Sequence, residues 1–373
     1  MRKSFEQTIT GPYQDIAKEQ IRQEEMGEAI TPKEKGELDT VLNWHLGKTA
    51  EARYGERLGK KKHLYRSVKN QKKVFELQKQ KQEIIKRLEE ERRQLNNPDY
   101  LPEKELGSRK VSYDGEQFLV KGENGQVTAL TLGEIITDYE FGINYYLDSS
   151  VPRAIQKKYA LEKARRQLHG LLEEQIIYDD ASRGKMEVGA PIIARRKVLT
   201  GKVEYQHQEG FLAEIMVSNF LEKLSIDYDV DFKLVKADVY EDVFHKIDFF
   251  IKRKSHNRGV KVEEIETENT KKVEAKNFGI QFTLRKRGLL EKRKQISQMK
   301  EKIGNEIELD DIVLVSVPLD RLRDIYSQWN EANRPSGGPD KLWDKSTKHF
   351  IVERIFQNIL SYEEITYLKS QIE

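Results

Sequence analysis

The chain has 373 residues, of which 35% are charged and 37% hydrophobic, and its 66 Lys and Arg residues nearly balance its 63 Asp and Glu residues. The length suits about two or three domains, and the absence of cysteine excludes disulfides, cysteine zinc sites and thiol nucleophiles. The net charge of +3 gives no global reason to bind nucleic acid, so such a role must rest on local patches. No apolar run approaches the roughly 18 residues of a membrane span, and the first residues lack the apolar core of a secretory signal. We therefore expect a cytoplasmic protein with no membrane partner.

Residues 1–100 are predicted to form a helical region with a coiled-coil-like segment. Residues 60–95 are rich in Lys, Gln and Glu. Apolar residues recur there in a heptad frame, at Val74, Leu77, Ile84, Leu88 and Leu95. Lys81 and Glu91 occupy positions of the same frame. Two interpretations stay open: a solvated helix or helical hairpin, and a coiled coil that forms a homodimer or binds a protein partner.

Residues 101–200 predict a small β-hairpin or meander followed by helices. The turn dipeptides Asp114-Gly115 and Asn124-Gly125 lie on either side of a short alternating run. This region carries no recognisable catalytic motif, so we expect it to bind a partner or DNA.

Two helices are predicted at the end of that region. Thr131 and Glu134 have the spacing of a capping box, in which a hydroxyl and a carboxylate each bond to the other residue's backbone N–H. The helix that they open is predicted to continue to about Tyr146, because apolar and aromatic residues keep helical spacing that far. Pro152 begins the next, basic helix.

Residues 201–373 predict an α/β domain with C-terminal helices. An amphipathic helix over 209–224 is followed by alternating or apolar runs typical of strands. These runs cover residues 230–236, 243–252, 278–284 and 312–317. A basic helix is predicted at about 288–303, and Pro335-Ser336-Gly337-Gly338-Pro339 reads as a flexible connection between the last two helices.

Three groups of residues that suit phosphodiester chemistry follow one another in this domain. Glu214 lies in the predicted helix, Asp248 lies in the second strand, and the acidic-x-Lys tripeptide Glu274-Ala275-Lys276 comes later. Their order resembles that of the restriction-endonuclease-like, or PD-(D/E)XK, nuclease superfamily over about residues 205–320. The resemblance implies an α/β (α+β) core with a mixed sheet flanked by helices, and the activity of a metal-dependent endonuclease.

Two candidates compete for the third element of that pattern. Glu274 and Lys276 match it literally, whereas Gln281 and Thr283 lie in the cleaner strand, in which Ile280, Phe282 and Leu284 alternate toward a core. The two pairs have opposite parity and would lie on opposite faces of one unbroken strand, unless a bulge near 277–279 intervenes. We favour Gln281, since the family tolerates glutamine there. Thr283 then replaces the family's lysine, so that Lys286 or Lys292 must supply the ammonium group.

The chemistry of Mg²⁺ explains why a site for phosphodiester cleavage uses such residues. A hard cation polarises the phosphate and lowers the pKa of an attacking water, and Mg²⁺ accepts only one or two protein carboxylates. The resemblance implies Mg²⁺ or Mn²⁺ held by Asp248, Glu214 and Gln281. It also implies a catalytic set completed by Glu274, Lys276 and Lys286.

The predicted basic helix suggests how nucleic acid, DNA in particular, would be held. Between residues 285 and 302 there are eight basic residues against Glu291 and Glu301. Six of them are expected to contact the phosphate backbone: Arg285, Lys286, Arg287, Lys292, Arg293 and Lys294.

A non-catalytic interpretation competes with the nuclease. In it, the C-terminal core is a degenerate nuclease-like fold, and the charged segments tether nucleic acid or proteins. Thr283 at the lysine position favours this interpretation. Other chemistries lack their motifs, because the sequence contains no P-loop, GxGxxG, HExxH or GxSxG signature.

Overall fold

The structure is a computed structural model of the full chain, and it divides into two compact units, residues 1–199 and 200–373. The residues that it describes are 34–35, 68–97, 99–100, 107–122, 125–182, 209–228, 230–237, 247–253, 277–283, 290, 292–294, 296–298, 309–316 and 322–372. The mixed α/β class is confirmed, and each unit contains a mixed four-stranded sheet. No helix within these ranges has both the length and the apolar character needed to cross a bilayer.

The sheet of the N-terminal unit is built on the predicted meander. It is formed by β1 (Arg109–Tyr113), β2 (Phe118–Lys121), β3 (Val127–Leu130) and β4 (Tyr145–Leu147), in the order β3-β2-β1-β4. Neighbouring strands of the meander are antiparallel, and β4 joins β1 in parallel. Gly115 has a φ of 109°, which a glycine tolerates far better than other residues, so the Asp-Gly turn forms where it was predicted.

The helix predicted from the capping box is shorter than expected. In α2 (Leu132–Thr137) the box is present, with Thr131 Oγ1 accepting from Glu134 N at 3.1 Å. A 3₁₀ turn over Asp138–Phe141 follows, and Gly142 ends it in the left-handed conformation, with a φ of 76°. The prediction of helix as far as Tyr146 is therefore wrong, because the chain turns at Gly142 and adds β4 to the sheet.

The coiled-coil-like segment is a helix of 27 residues, α1 (Val68–Gln94), and it packs against α3 (Arg153–Ser182) of the same chain. Buried residues of both helices form one cluster: Ile84 and Leu88 with Ala160, Leu161, Ala164 and Leu168. Lys81 is fully buried in the heptad frame, and its Nζ donates to Gln175 Oε1 of α3 at 2.6 Å. The apolar stripe of α1 therefore has an intramolecular partner.

The C-terminal unit has the order helix–strand–strand–strand–helix–strand–helix that its sequence predicts, with the second helix described only at residues 290, 292–294 and 296–298. The elements are α4 (Glu209–Asp227), β5 (Phe232–Lys236), β6 (Phe249–Arg253), β7 (Asn277–Thr283) and β8 (Asp311–Ser316). The sheet order is β5-β6-β7-β8, in which β5, β6 and β7 are antiparallel and β8 lies parallel to β7.

Three helices complete this unit: α5 (Leu322–Glu331), α6 (Lys345–Phe356) and α7 (Tyr362–Gln371). The connection before α6 is buried at Gly337, Gly338, Pro339 and Asp340, so its interpretation as a flexible linker is wrong. The Lys223 ammonium group of α4 bonds to Asp340 Oδ1 and to the Gly337 carbonyl, both at 2.7 Å, which ties the connection to the core.

Candidate functional site

The two faces of the C-terminal sheet are defined by β7. Alternate side chains of a strand lie on opposite faces. The register pairs Phe250 of β6 and Ile312 of β8 with Gly279, so both share a face with Gln281, two positions further along β7. We call this surface the Gln281 face and the opposite one the Ile280 face.

Asp248 immediately precedes β6 and is bonded to both chain neighbours of Gln281. Its backbone N–H donates to the Ile280 carbonyl at 2.8 Å, and its Oδ2 accepts from Phe282 N–H at 2.5 Å. These two bonds hold Asp248 beside Gln281 at this end of β7, although Asp248 lies outside the paired register, which ends at Phe249 and Ile280. The bond to Phe282 is one that a purely structural aspartate would also make. A carboxylate offers about four lone-pair sites, however, so the bond to Phe282 N–H does not by itself exclude cation binding by Asp248.

Gln281 is a buried polar residue in an apolar sheet. It is 6% exposed, and its Oε1 has no hydrogen-bond partner in the part of the chain that the structure describes. Such an atom costs about 1–3 kcal/mol, and in a native protein it calls for an explanation such as a bound ion, water or ligand. Gln281 lies on the face of β7 opposite Ile280, as the alternation predicts, but that face is buried as well.

The Gln281 face is covered by its own apolar cluster. Ile247, Phe250 and Ile312 contact one another there together with Ile296. Ile247 lies so close to β7 that a Cβ at Gly279 would be 3.0 Å from its Cδ1. An alanine at Gly279 would be tight against this side chain, and Ile247 would have to give by a few tenths of an ångström.

A further polar group comes from β8. The parallel register pairs Thr283 with Ser316, which places both residues on the Gln281 face. The Ser316 Oγ is shielded from solvent and has no hydrogen-bond partner within the described ranges. Since β6 is antiparallel to β7 and β8 is parallel to it, three residues lie at the same end of the sheet: Asp248 just before β6, Gln281 in β7 and Ser316 in β8. We call these three residues the polar row.

The basic helix is described at residues 290, 292–294 and 296–298, all of which are helical, and we call these residues the basic segment. Ile296 is 6% exposed and anchors the segment to the cluster on the Gln281 face. Lys292 precedes Ile296 by four residues, so it lies on the same side of the helix, and it is partly buried. Arg293 and Lys294 are exposed. The remaining predicted contacts, Arg285, Lys286 and Arg287, lie outside the described residues.

The other predicted site residues are only partly described. Glu214 lies on α4 and is partly buried, whereas Glu274 and Lys276 lie outside the described residues. The β6–β7 register is regular from Asn277 to Ile280, so the bulge considered at 277–279 is absent and that expectation is wrong. Among the described residues, no group of three or more Asp, Glu or His side chains is arranged to hold a metal ion. The metal site stays a prediction.

Ser316 was missed by the sequence analysis. Its signal is a hydroxyl at the end of an otherwise apolar strand, with the parity of Ile312 and Leu314. That signal has no meaning until β8 is known to lie beside β7, because the alternation of one strand does not identify its neighbour.

Comparison of the chain with protein-family models, with curated proteins and with solved structures finds no match.

Proposed function

We propose that the C-terminal unit is a metal-dependent nuclease domain of the restriction-endonuclease-like type, which hydrolyses phosphodiester bonds of nucleic acid, DNA in particular. The observation that carries the proposal is the buried Gln281 Oε1, which has no hydrogen-bond partner within the described ranges, together with the bonds of Asp248 to both chain neighbours of Gln281. The N-terminal helical region would grip DNA or a protein partner, or form a homodimer.

The donor atoms of the proposed site suit Mg²⁺ or Mn²⁺. A carboxylate and an amide oxygen are the hard ligands that these ions prefer, and an oxygen without a partner gains from binding one. Glu214 would complete the set from α4. The bound cation would polarise the phosphate and acidify an attacking water, while Asp248 and Gln281 orient the phosphate for attack.

The ammonium group that the family places on the third strand has to come from elsewhere, because Thr283 occupies its position. Lys292 is the described lysine that best supports this role, since it lies on the Ile296 side of the basic segment and is partly buried. Lys276 and Lys286 are alternatives outside the described residues. The exposed Arg293 and Lys294 would contact phosphates, with an affinity that falls as salt rises.

Asp248→Asn tests the proposal most directly. Asparagine keeps an oxygen that accepts from Phe282 N–H, so the strand end keeps its bond while the negative charge is lost. We expect Mg²⁺-dependent cleavage to fall by more than about a hundredfold, since even outer-shell partners of metal ligands cost about 10–100-fold. Cleavage of single- and double-stranded DNA and RNA, measured with Mg²⁺ and with Mn²⁺, is the assay.

Two results would contradict the proposal. One is a wild-type protein that cleaves none of these substrates with either ion, and the other is an Asp248→Asn variant that cleaves at the wild-type rate. Equal unfolding curves of the two proteins in urea are the control that the substitution changes charge and not folding.

Lys292→Met and Lys294→Met form a matched pair on the basic segment. We expect Lys292→Met to lower kcat by about 10²–10³, the usual cost of removing one group that stabilises developing charge. Lys294→Met should leave kcat unchanged and reduce the salt dependence of binding by about one phosphate contact. Single-turnover rates and binding at several salt concentrations separate the two effects, and equal losses of kcat would remove Lys292 from the site.

The second candidate function is non-catalytic binding of nucleic acid or protein by a degenerate nuclease-like core. Thr283 at the lysine position and the bond of Asp248 to Phe282 support it. Calorimetry with Mn²⁺ separates the candidates, because only the nuclease requires that the wild type bind the ion and that Asp248→Asn bind it less.

A further inference from the structure

The polar row contains a second buried oxygen that has no hydrogen-bond partner among the described residues, Ser316 Oγ, which neither the family resemblance nor the proposed metal set uses. We propose that Ser316 is a substrate-binding residue, whose hydroxyl donates a hydrogen bond to a phosphate oxygen of bound nucleic acid. The inference rests on the proposed function and adds to it a contact on the β8 side of Gln281.

The spacing of the strands separates Ser316 from a cation bound at Asp248. Neighbouring strands lie about 4.8 Å apart, so β6 and β8 are about 10 Å apart across β7. Two oxygens bound directly to one Mg²⁺ are at most about 4 Å apart. Serine has one of the shortest polar side chains, and from β8 it cannot reach a cation held at Asp248. A metal-ligand role for Ser316 is therefore excluded by distance if Asp248 holds the ion.

A phosphodiester bound beside Asp248 and Gln281 would extend into that gap. Phosphate oxygens are strong acceptors, and Ser and Thr hydroxyls are frequent donors to them. Ser316 lies opposite Thr283 on the Gln281 face, diagonal to Gln281, whose direct partner on β8 is Leu314. A phosphate at this end of the sheet therefore meets the cation on one side and the hydroxyl on the other.

The burial of Ser316 fits a group that acts only when a ligand is present. Its Oγ is shielded, but the residue as a whole is partly exposed. A serine side chain has three staggered χ1 positions, so rotation about the Cα–Cβ bond moves the hydroxyl without moving the strand. The unpaired state carries a cost of about 1–3 kcal/mol, and a phosphate acceptor removes it.

The test compares Ser316→Ala, Ser316→Thr and Asp248→Asn in two measurements on the full chain. The first is the Kd of a short fluorescent DNA, as duplex and as single strand, with Ca²⁺ in place of Mg²⁺ to limit cleavage. The second is Mn²⁺ calorimetry without DNA. Ser316→Ala should weaken DNA binding roughly tenfold, the usual cost of a hydrogen bond to a charged group. It should leave Mn²⁺ affinity unchanged, and Ser316→Thr should bind DNA like the wild type.

Two controls test whether a loss of DNA affinity in Ser316→Ala comes from the missing hydroxyl. Ser370→Ala, on the exposed surface of α7, removes a serine outside the site and should change neither measurement. The midpoint of urea unfolding of Ser316→Ala without DNA should stay at or above that of the wild type, since its hydroxyl makes no hydrogen bond to the described part of the chain.

Each remaining outcome overturns the inference. Wild-type DNA affinity in Ser316→Ala means that the hydroxyl does not contact substrate, and lowered Mn²⁺ affinity means that it acts on the cation. A Ser316→Ala variant that unfolds more easily shows that the hydroxyl has a structural bond. If the wild type binds no Mn²⁺, the proposed function fails first, and the inference fails with it. If only Asp248→Asn loses Mn²⁺ and Ser316→Ala loses nothing, the proposed function stands and the inference alone fails.

Discussion

The helix pair of the N-terminal unit and the polar row of the C-terminal unit each contain a buried glutamine. The two glutamines are almost equally buried but differ in their hydrogen bonding. Gln175 of α3 is 5% exposed and accepts a hydrogen bond from the buried Lys81. Gln281 of β7 is 6% exposed, and its Oε1 has no partner among the described residues. The side-chain oxygen of a buried glutamine thus has a hydrogen-bond partner in one region and none among the described residues in the other.

The difference indicates what each region is built to do. A buried hydrogen bond that is satisfied within the chain fixes which residues of two helices meet. An unsatisfied oxygen lowers stability and has no structural benefit, so natural proteins keep such groups mainly where a ligand, an ion or a water satisfies them. Lys81 and Gln175 therefore suit a structural contact, and Gln281 suits the ligand-binding role proposed for the polar row.

Gln175→Leu should have the largest effect on stability. The substitution keeps a similar volume but removes the acceptor of a fully buried ammonium group. We expect the free energy of unfolding of this region to fall by about 2–3 kcal/mol, the cost of a hydrogen bond to a buried charged group. Hydrogen exchange of the α1 and α3 backbone amides measures it, because slowly exchanging amides report the local opening free energy.

A double variant isolates the pair. Lys81→Met together with Gln175→Leu removes donor and acceptor at once, and replacing both partners by apolar groups of similar shape is close to neutral. We expect most of the lost protection to return. Equal protection of Gln175→Leu and the wild type would mean that the Lys81 bond contributes nothing to the helix pair.

Gln281→Leu should have the smallest effect on stability, although the substitution and the burial are the same. No described bond is lost, so the midpoint of urea unfolding should stay unchanged or rise by the equivalent of up to about 1 kcal/mol. The outcome that would remove the contrast between the two regions is a destabilisation as large as that of Gln175→Leu. It would show that Gln281 has a structural partner.

The elements of the C-terminal unit could be predicted because their patterns are local. Alternation over 230–236 and 278–284 predicts strands, and β5 and β7 lie there. The helical period over 209–224 predicts α4 equally well. The error at Tyr146 arose because aromatic residues at helical spacing also suit a strand, and only Gly142 and the free edge of β1 decide between them.

Of the site, only the residues that the sequence of a single strand identifies could be predicted. Asp248 and Gln281 were chosen from their own segments, but their adjacency depends on the β6–β7 register, which the sequence does not contain. The burial of Gln281 was missed because alternation assigns one face to the core, whereas β7 is an interior strand that is covered on both faces. Ser316 needed the β7–β8 pairing for the same reason.

The separation of α1 from α3 along the chain affects how the protein is made. Lys81 and Gln175 are 94 residues apart, so a ribosome adding about 5–20 residues each second completes α1 several seconds before its partner. During that interval the stripe that includes Ile84 and Leu88 has no helix to cover it. The nascent chain therefore exposes the apolar face of α1 while the meander emerges. A chaperone that binds amphipathic helices would bind α1 at this stage of translation.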